Sequence, residues 1–188
     1  MLKTSLTVAL LLATAISARS DTLSSLHGQY LIAPSSRIAF SVAQVGGGGI
    51  AGTFSHFSGT FDLHPDDIAG SSVTFSLQPA SVKTAEPRVE NFLRSSAVFD
   101  ADAYPVISFR STGIRPEGGD RAIVEGSLTA RGVSRREIFN ATLLGRQGRT
   151  IAFHVVGDIL RSRYGMDVGT PIYSNVAHFD MVLKGERK

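Results

Sequence analysis

Large apolar residues recur at every second position through most of this chain, and that period admits few architectures. In residues 37–44, Ile38, Phe40 and Val42 alternate with Ala39, Ser41 and Ala43. A period of two places the large side chains on one face of a strand and the small ones on the other. The alternation returns as Val73, Phe75 and Leu77, then as Ile107 and Phe109, then as Val124, Gly126 and Leu128. It continues as Phe139, Ala141 and Leu143, as Ile151, Phe153 and Val155, and as Ala177, Phe179, Met181 and Leu183. Turn signals separate these runs: Gly46 to Gly49, His64-Pro65-Asp66-Asp67, Arg115-Pro116-Glu117-Gly118-Gly119-Asp120 and Gly145-Arg146-Gln147-Gly148. Such residues preset φ or accept positive φ, as tight turns demand.

Half-apolar strands at this spacing predict a sandwich or a barrel. Residues 88–97 break the pattern, since Val89, Phe92, Leu93 and Ala97 fall near helical spacing and predict one short helix. Residues 161–166 predict a second short helical or irregular piece. The 188 residues suffice for one domain with a sizeable core. An antiparallel barrel of about eight strands has an interior able to hold one small ligand. Eleven Phe and no Trp supply that interior with rings that carry no polar tip and need no hydrogen-bond partner. Alternating Phe also describes a solidly filled core, so the pattern by itself leaves both a cavity and a packed interior open.

The first eighteen residues are of another kind. Met1-Leu2-Lys3 gives a positive start, Leu6 to Leu12 an apolar run, and Ala13-Thr14-Ala15 or Ile16-Ser17-Ala18 small residues for cleavage. This is the layout of a secretory signal peptide, with an apolar run too short to span a bilayer. Residues 1–18 are therefore expected to be a leader, with an uncleaved anchor as the alternative, and 19–188 the folded domain. Zero cysteines exclude disulfides and thiol chemistry. The net charge of +3, with Lys and Arg scattered, gives no basic patch for nucleic acid.

Motifs for chemistry fail on inspection. Gly47-Gly48-Gly49-Ile50-Ala51-Gly52 spells G-x-G-x-x-G, but the β-forming Thr53-Phe54-Ser55-His56-Phe57 follows where a nucleotide site needs a helix. A hairpin turn or cavity-mouth loop fits better. The five His (27, 56, 64, 154 and 178) form no H-E-x-x-H pair, and His154 and His178 alternate with apolar neighbours, facing away from the interior. No G-x-S-x-G elbow is present. Asp66 and Asp67 read as turn residues. Arg161, Arg163 and Asp167 are expected to form surface ion pairs.

The order of residues also resembles a known family. YLIAPSSRIAFSVAQVGGGGIAGTF (residues 30–54), SGTFDLHPDDIAGSSVTFSLQPASVKT (58–84) and above all RVENFLRSSAVFDADAYPVISFRST (88–112) resemble successive blocks of YceI-like domains. GSLTARGVSRREI (126–138) and LRSRYGM (160–166) extend the match over nearly the whole domain. The resemblance implies an all-β fold with a short helix, an extended antiparallel lipocalin-like barrel of about eight strands around an apolar tunnel. It further implies a periplasmic (or secreted) protein that holds an isoprenoid-type lipid: a quinone tail, a polyprenyl alcohol or a polyprenyl phosphate. Ala33, Arg37, Gln44, Lys83 and Asn91 depart from the family at polar positions, which leaves head-group preference open and the apolar strands untouched.

Phe40, Val42, Phe54, Phe75, Phe92, Phe99, Phe109, Leu128, Ala141 and Phe153 are the candidates for the tunnel wall. No catalytic residue, metal ligand or cofactor is expected beyond the lipid itself. An enzyme acting on such a lipid and a stress-related structural barrel without lipid remain as alternatives; transient membrane contact and a homodimer are left open. A buried isoprenoid carbon contributes roughly 0.8 kcal/mol, so a five-carbon unit contributes about 3–4 kcal/mol gross. Ordering of the tail and association offset much of this. The leader expectation is checked by N-terminal sequencing of native protein, which should begin within a few residues of Ala15 or Ala18. A chain still starting at Met1 would refute export by cleavage.

Overall fold

The computed structural model describes residues 22–188; the expected leader lies outside the described residues. Eleven strands and one helix follow in order: β1 (Gly28–Ile32), β2 (Arg37–Ala43), β3 (Gly49–Phe54), β4 (Phe57–Leu63), β5 (Ser72–Leu77), β6 (Val82–Thr84), α1 (Pro87–Arg94), β7 (Ile107–Pro116), β8 (Arg121–Ala130), β9 (Val133–Gln147), β10 (Thr150–Leu160) and β11 (Val176–Arg187). All pairings are antiparallel. Eight strands close into a barrel in the order β1-β4-β5-β7-β8-β9-β10-β11, with β11 returning to β1.

The closure depends on a fork in β11. Its C-terminal end pairs with β1, Ile32 opposite Gly185 and Tyr30 opposite Arg187. Farther back on the same edge, residues 178–182 pair with β2, which carries β3 and β6 as a branch beyond the barrel. The β1–β2 connection crosses at the fork. Ser36 Oγ accepts from Lys184 N at 2.9 Å and donates to Lys184 O at 3.3 Å, while Ala33 N donates to Lys184 O. The backbone groups of β11 exposed between its two partners are thereby satisfied.

Sequence and structure differ at several boundaries. Gly46, Gly47 and Gly48, with φ of 86°, 103° and 77°, make the β2–β3 turn, whereas Gly49 to Gly52 lie within β3. Gly145 belongs to β9, beside a register shift at Ala152/Phe153, so the turn there narrows to Gly148-Arg149. The helix stops at Arg94 and not at Ala97, because Ser95 Oγ donates to Phe92 O and Ser95 leaves helical geometry. In residues 161–166 a 3-10 turn, Arg161–Tyr164, ends at left-handed Gly165.

The inward faces carry the rings, and small residues decide how those rings lie. Phe40 sits directly opposite Gly52, and a methyl group added to that glycine would meet Phe40 Cε1 at 2.8 Å. The same addition at Gly157 would meet Phe139 Cδ1 at 2.5 Å, and at Gly185 would meet Phe61 Cδ2 at 3.0 Å. Gly126 lies equally close beneath Phe109. Each of these four rings therefore rests where a side chain is missing, on the adjacent strand or, for Phe61, across β1 on β11, and lies along the wall instead of projecting across the lumen. Ring pairs knit this lining together, Phe109 with Phe139 edge-on at 5.2 Å and Phe61 with Phe153 at 5.6 Å.

Gly157→Ala should displace the Phe139 ring and destabilise the barrel by about 1–3 kcal/mol. Gly113→Ala, whose added methyl group would meet no atom within 4 Å, should stay within about 0.5 kcal/mol of wild type. Urea melts of the two variants check this, and equal effects would refute the notch.

Candidate functional site

The barrel and its branch enclose a cavity of about 520 Å³, in the middle of the size range of small-ligand sites. All ten residues expected at the wall line it. β2 and β3 supply Phe40, Val42 and Phe54; β5, β7 and β8 supply Phe75, Phe109 and Leu128; β9 and β10 supply Ala141 and Phe153. Phe99 packs in from the segment after α1, its ring 5.8 Å from that of Phe54. Phe92 is set apart. It is 44% exposed on α1, at the edge of the cavity.

Exposure locates the mouth. The lining residues that reach solvent are Arg88 and Phe92 on α1 and Val168 and Gly169 in the loop before β11. Tyr173 of that loop bridges Gln44, and Val45 N donates to Ile172 O, so the glycine-rich turn is zipped to the loop. Val45 and Ile172 are themselves 76% and 59% exposed. An apolar rim thus surrounds the entrance. At the other end Leu23, Leu26, Ile68, Ile114 and Ala122 line the cavity, and none of them is exposed.

The polar lining groups are few, and those inside are held by the protein. Tyr164 donates its phenol proton to Glu137 Oε1 at 2.9 Å, and Arg163 Nη1 donates to the same oxygen at 3.0 Å. Glu137, only 6% exposed, projects inward on the face of Phe139 and Ala141. Ser71 Oγ accepts from His64 N. Arg161 donates from Nε and Nη2 to Ser174 O at 2.9 and 2.6 Å, and from Nη1 to Met166 O and Val168 O. Burial lowers the Arg161 pKa, with Asp167 opposing the shift. The expected surface ion pairs are therefore corrected: Arg163 serves the inward-facing Glu137, and Arg161 holds backbone carbonyls.

His154 and His178 lie outside, paired with Asp180 at 3.1 Å and Asp158 at 2.7 Å. No grouping of three metal-binding side chains occurs among the described residues. Leu23, Leu26, Tyr164, Met166 and Tyr173 also line the cavity without having been singled out in the sequence.

A profile of the YceI-like domain matches residues 30–183. The chain belongs to the YceI-like family. A UPF0312 protein of Photorhabdus laumondii is 33% identical over 108 residues, 57% of this chain and 56% of that protein. Protein YceI of Escherichia coli O17:K52:H18 is 29% identical over 127 residues, 65% of this chain and 66% of that one. The chain thus spans little more than half the length of the UPF0312 relatives it matches. Among solved structures, BcnA of Burkholderia cenocepacia superposes with a TM-score of 0.76 at 25% identity, covering 81% of this chain and 98% of BcnA. A polyisoprenoid binding domain from Saccharophagus degradans superposes at 0.64 with 18% identity, covering 87% of this chain and all of that domain. The barrel is a YceI-like barrel.

Burial, followed by the hydrogen bond to Glu137, holds the Tyr164 phenol well above the ordinary tyrosine value of 10.0. A raised folded-state pKa stabilises the protein below the unfolded value and loses that stabilisation as pH climbs through the folded one. Wild-type stability should therefore fall as pH passes 10.0, with part of that slope absent in Tyr164→Phe. At neutral pH the same substitution should cost about 1–3 kcal/mol, the range for leaving a buried hydrogen-bonding partner unsatisfied. Urea midpoints across alkaline pH measure both; identical slopes would refute the assignment.

Proposed function

We propose that this protein binds an isoprenoid-type lipid in the periplasm, as carrier or sequestering protein, and performs no chemistry on it. One observation carries the reading: the interior polar groups lining the cavity, Tyr164, Ser71 and Arg161, already bond to the protein. Below the mouth, where Arg88 and Tyr173 stand, the wall asks a ligand for apolar area and no hydrogen bond, which is what a polyprenyl tail offers. The fold is shared with a Saccharophagus degradans domain described as polyisoprenoid binding, which supports the same class of ligand. A solidly packed barrel is disfavoured by a cavity of about 520 Å³.

The non-catalytic reading rests on the site's chemistry. Catalysis by acid and base needs a titratable group free to exchange a proton with a bound molecule. Tyr164 and Glu137 are instead locked to one another. The exposed rim of Val45, Phe92, Val168 and Ile172 favours brief contact with a lipid surface during loading. Export before folding is consistent with the leader-like first eighteen residues.

Solvent extraction of purified protein followed by mass spectrometry should recover an isoprenoid lipid. Ala141, 8% exposed on the cavity wall, provides the companion test. Ala141→Phe fills space that the tail would use, so lipid affinity should fall at least about tenfold while delipidated stability shifts by less than about 1 kcal/mol. Recovery of no lipid, and no uptake of added isoprenoids, would overturn the proposal.

A further inference from the structure

We infer that Leu23 and Leu26 form the floor of the cavity and set the length of apolar tail it accepts. This rests on the isoprenoid reading above. The two side chains come from a segment that is not part of the barrel wall. A 3-10 turn, Leu23–Ser25, lies before β1 and closes with Leu26 N donating to Leu23 O at 3.0 Å. Leu23 N donates to Gly119 O at 2.7 Å, which fixes the turn to the β7–β8 connection. The side chains then face inward: Leu23 is 8% and Leu26 1% exposed, and both line the cavity.

That position is the end opposite the mouth. β8 runs ten residues from the Gly119 end to Ala130, about 30 Å of strand. At its far end Arg131 Nη1 donates to Val98 O and Gly165 O, which joins the β8–β9 turn to the loops beside the mouth. A tail entering past α1 therefore runs the height of the barrel, shortened by strand tilt, and stops at Leu26. The wall discriminates little along this path because it is mainly apolar and its inner polar groups, Ser71, Tyr164 and Arg161, already bond to the protein. Length is what remains to be read, through the contact of the tail's end with two leucines.

Selectivity follows from the same burial that drives binding. Up to the floor, each added isoprene unit gains affinity; beyond it, the surplus must leave through the mouth and gains nothing. Truncating Leu23 and Leu26 to Ala deepens the cavity by about one isoprene unit. Ala122, 6% exposed and also lining this end, offers the opposite change, since Ala122→Leu raises the floor.

The test loads delipidated full-length mature protein from an equimolar mixture of farnesol, geranylgeraniol and solanesol, and measures bound alcohols by mass spectrometry. Leu23→Ala/Leu26→Ala should raise the ratio of the longest to the shortest bound alcohol about tenfold. Ala122→Leu should lower that ratio by a similar factor. Leu26→Ala alone should move it the same way as the double variant by a smaller amount, which keeps the test intact if the double variant does not fold. Thermal melts confirm that each measured variant is folded. Ratios unchanged in folded variants, with wild type still binding the alcohols, would overturn the floor and leave the lipid reading standing. Wild-type protein that takes up none of the three would overturn the lipid reading itself, and the floor with it.

Discussion

The contact between phenylalanine rings and bare glycine backbone governs whether this barrel is full or hollow. Four of the rings, Phe40, Phe61, Phe109 and Phe139, could otherwise cross the lumen and close it. They lie flat because Gly52, Gly126, Gly157 and Gly185 leave gaps in the sheet where a ring can rest. Side chains at native packing density transmit any misplaced methyl group to their neighbours. The wall is consequently dense while the centre stays open, and the lining is apolar without being packed solid. The candidate site is arranged around that open centre.

Much of this was legible in the sequence. Strands with clean alternation, such as Val73-Phe75-Leu77 and Phe139-Ala141-Leu143, declare which face is buried, and the ten expected lining residues all reach the cavity. Gly126 appears within an inward-facing series, but its purpose depends on Phe109 of the adjacent strand and no local pattern signals that. β1 was harder to read because Tyr30, Leu31 and Ile32 are consecutive and apolar, with Leu31 44% exposed, which blurs the period. β6 spans three residues, too few for a period to form.

The floor of the cavity and the hold on its entrance loop escaped the sequence for a different reason. Leu23 and Leu26 sit among Ser and His in what reads as a connecting segment, and only the tertiary position of Gly119 recruits them. Arg161 drew attention as a charge seeking an acid. Its partners turned out to be main-chain oxygens, which are present at every residue and therefore invisible to any side-chain pattern. The outward His–Asp pairs, by contrast, follow directly from strand parity. Hydrogen-bonded side-chain pairs across neighbouring strands stabilise a sheet modestly, and these pairs require no further role.

Arg161 also bears on how the entrance behaves before anything arrives. One guanidinium gathers the carbonyls of Met166, Val168 and Ser174, and Asn175 fastens the start of the same loop through Ser162. A connection between β10 and β11 that would otherwise sample many shapes is held to one. Ordering a loop at the moment of binding costs affinity, and a loop already ordered by the protein does not. The entrance is thus preorganised by a cation whose hydrogen bonds go to the loop backbone, so its rigidity is independent of the chemistry of the visitor.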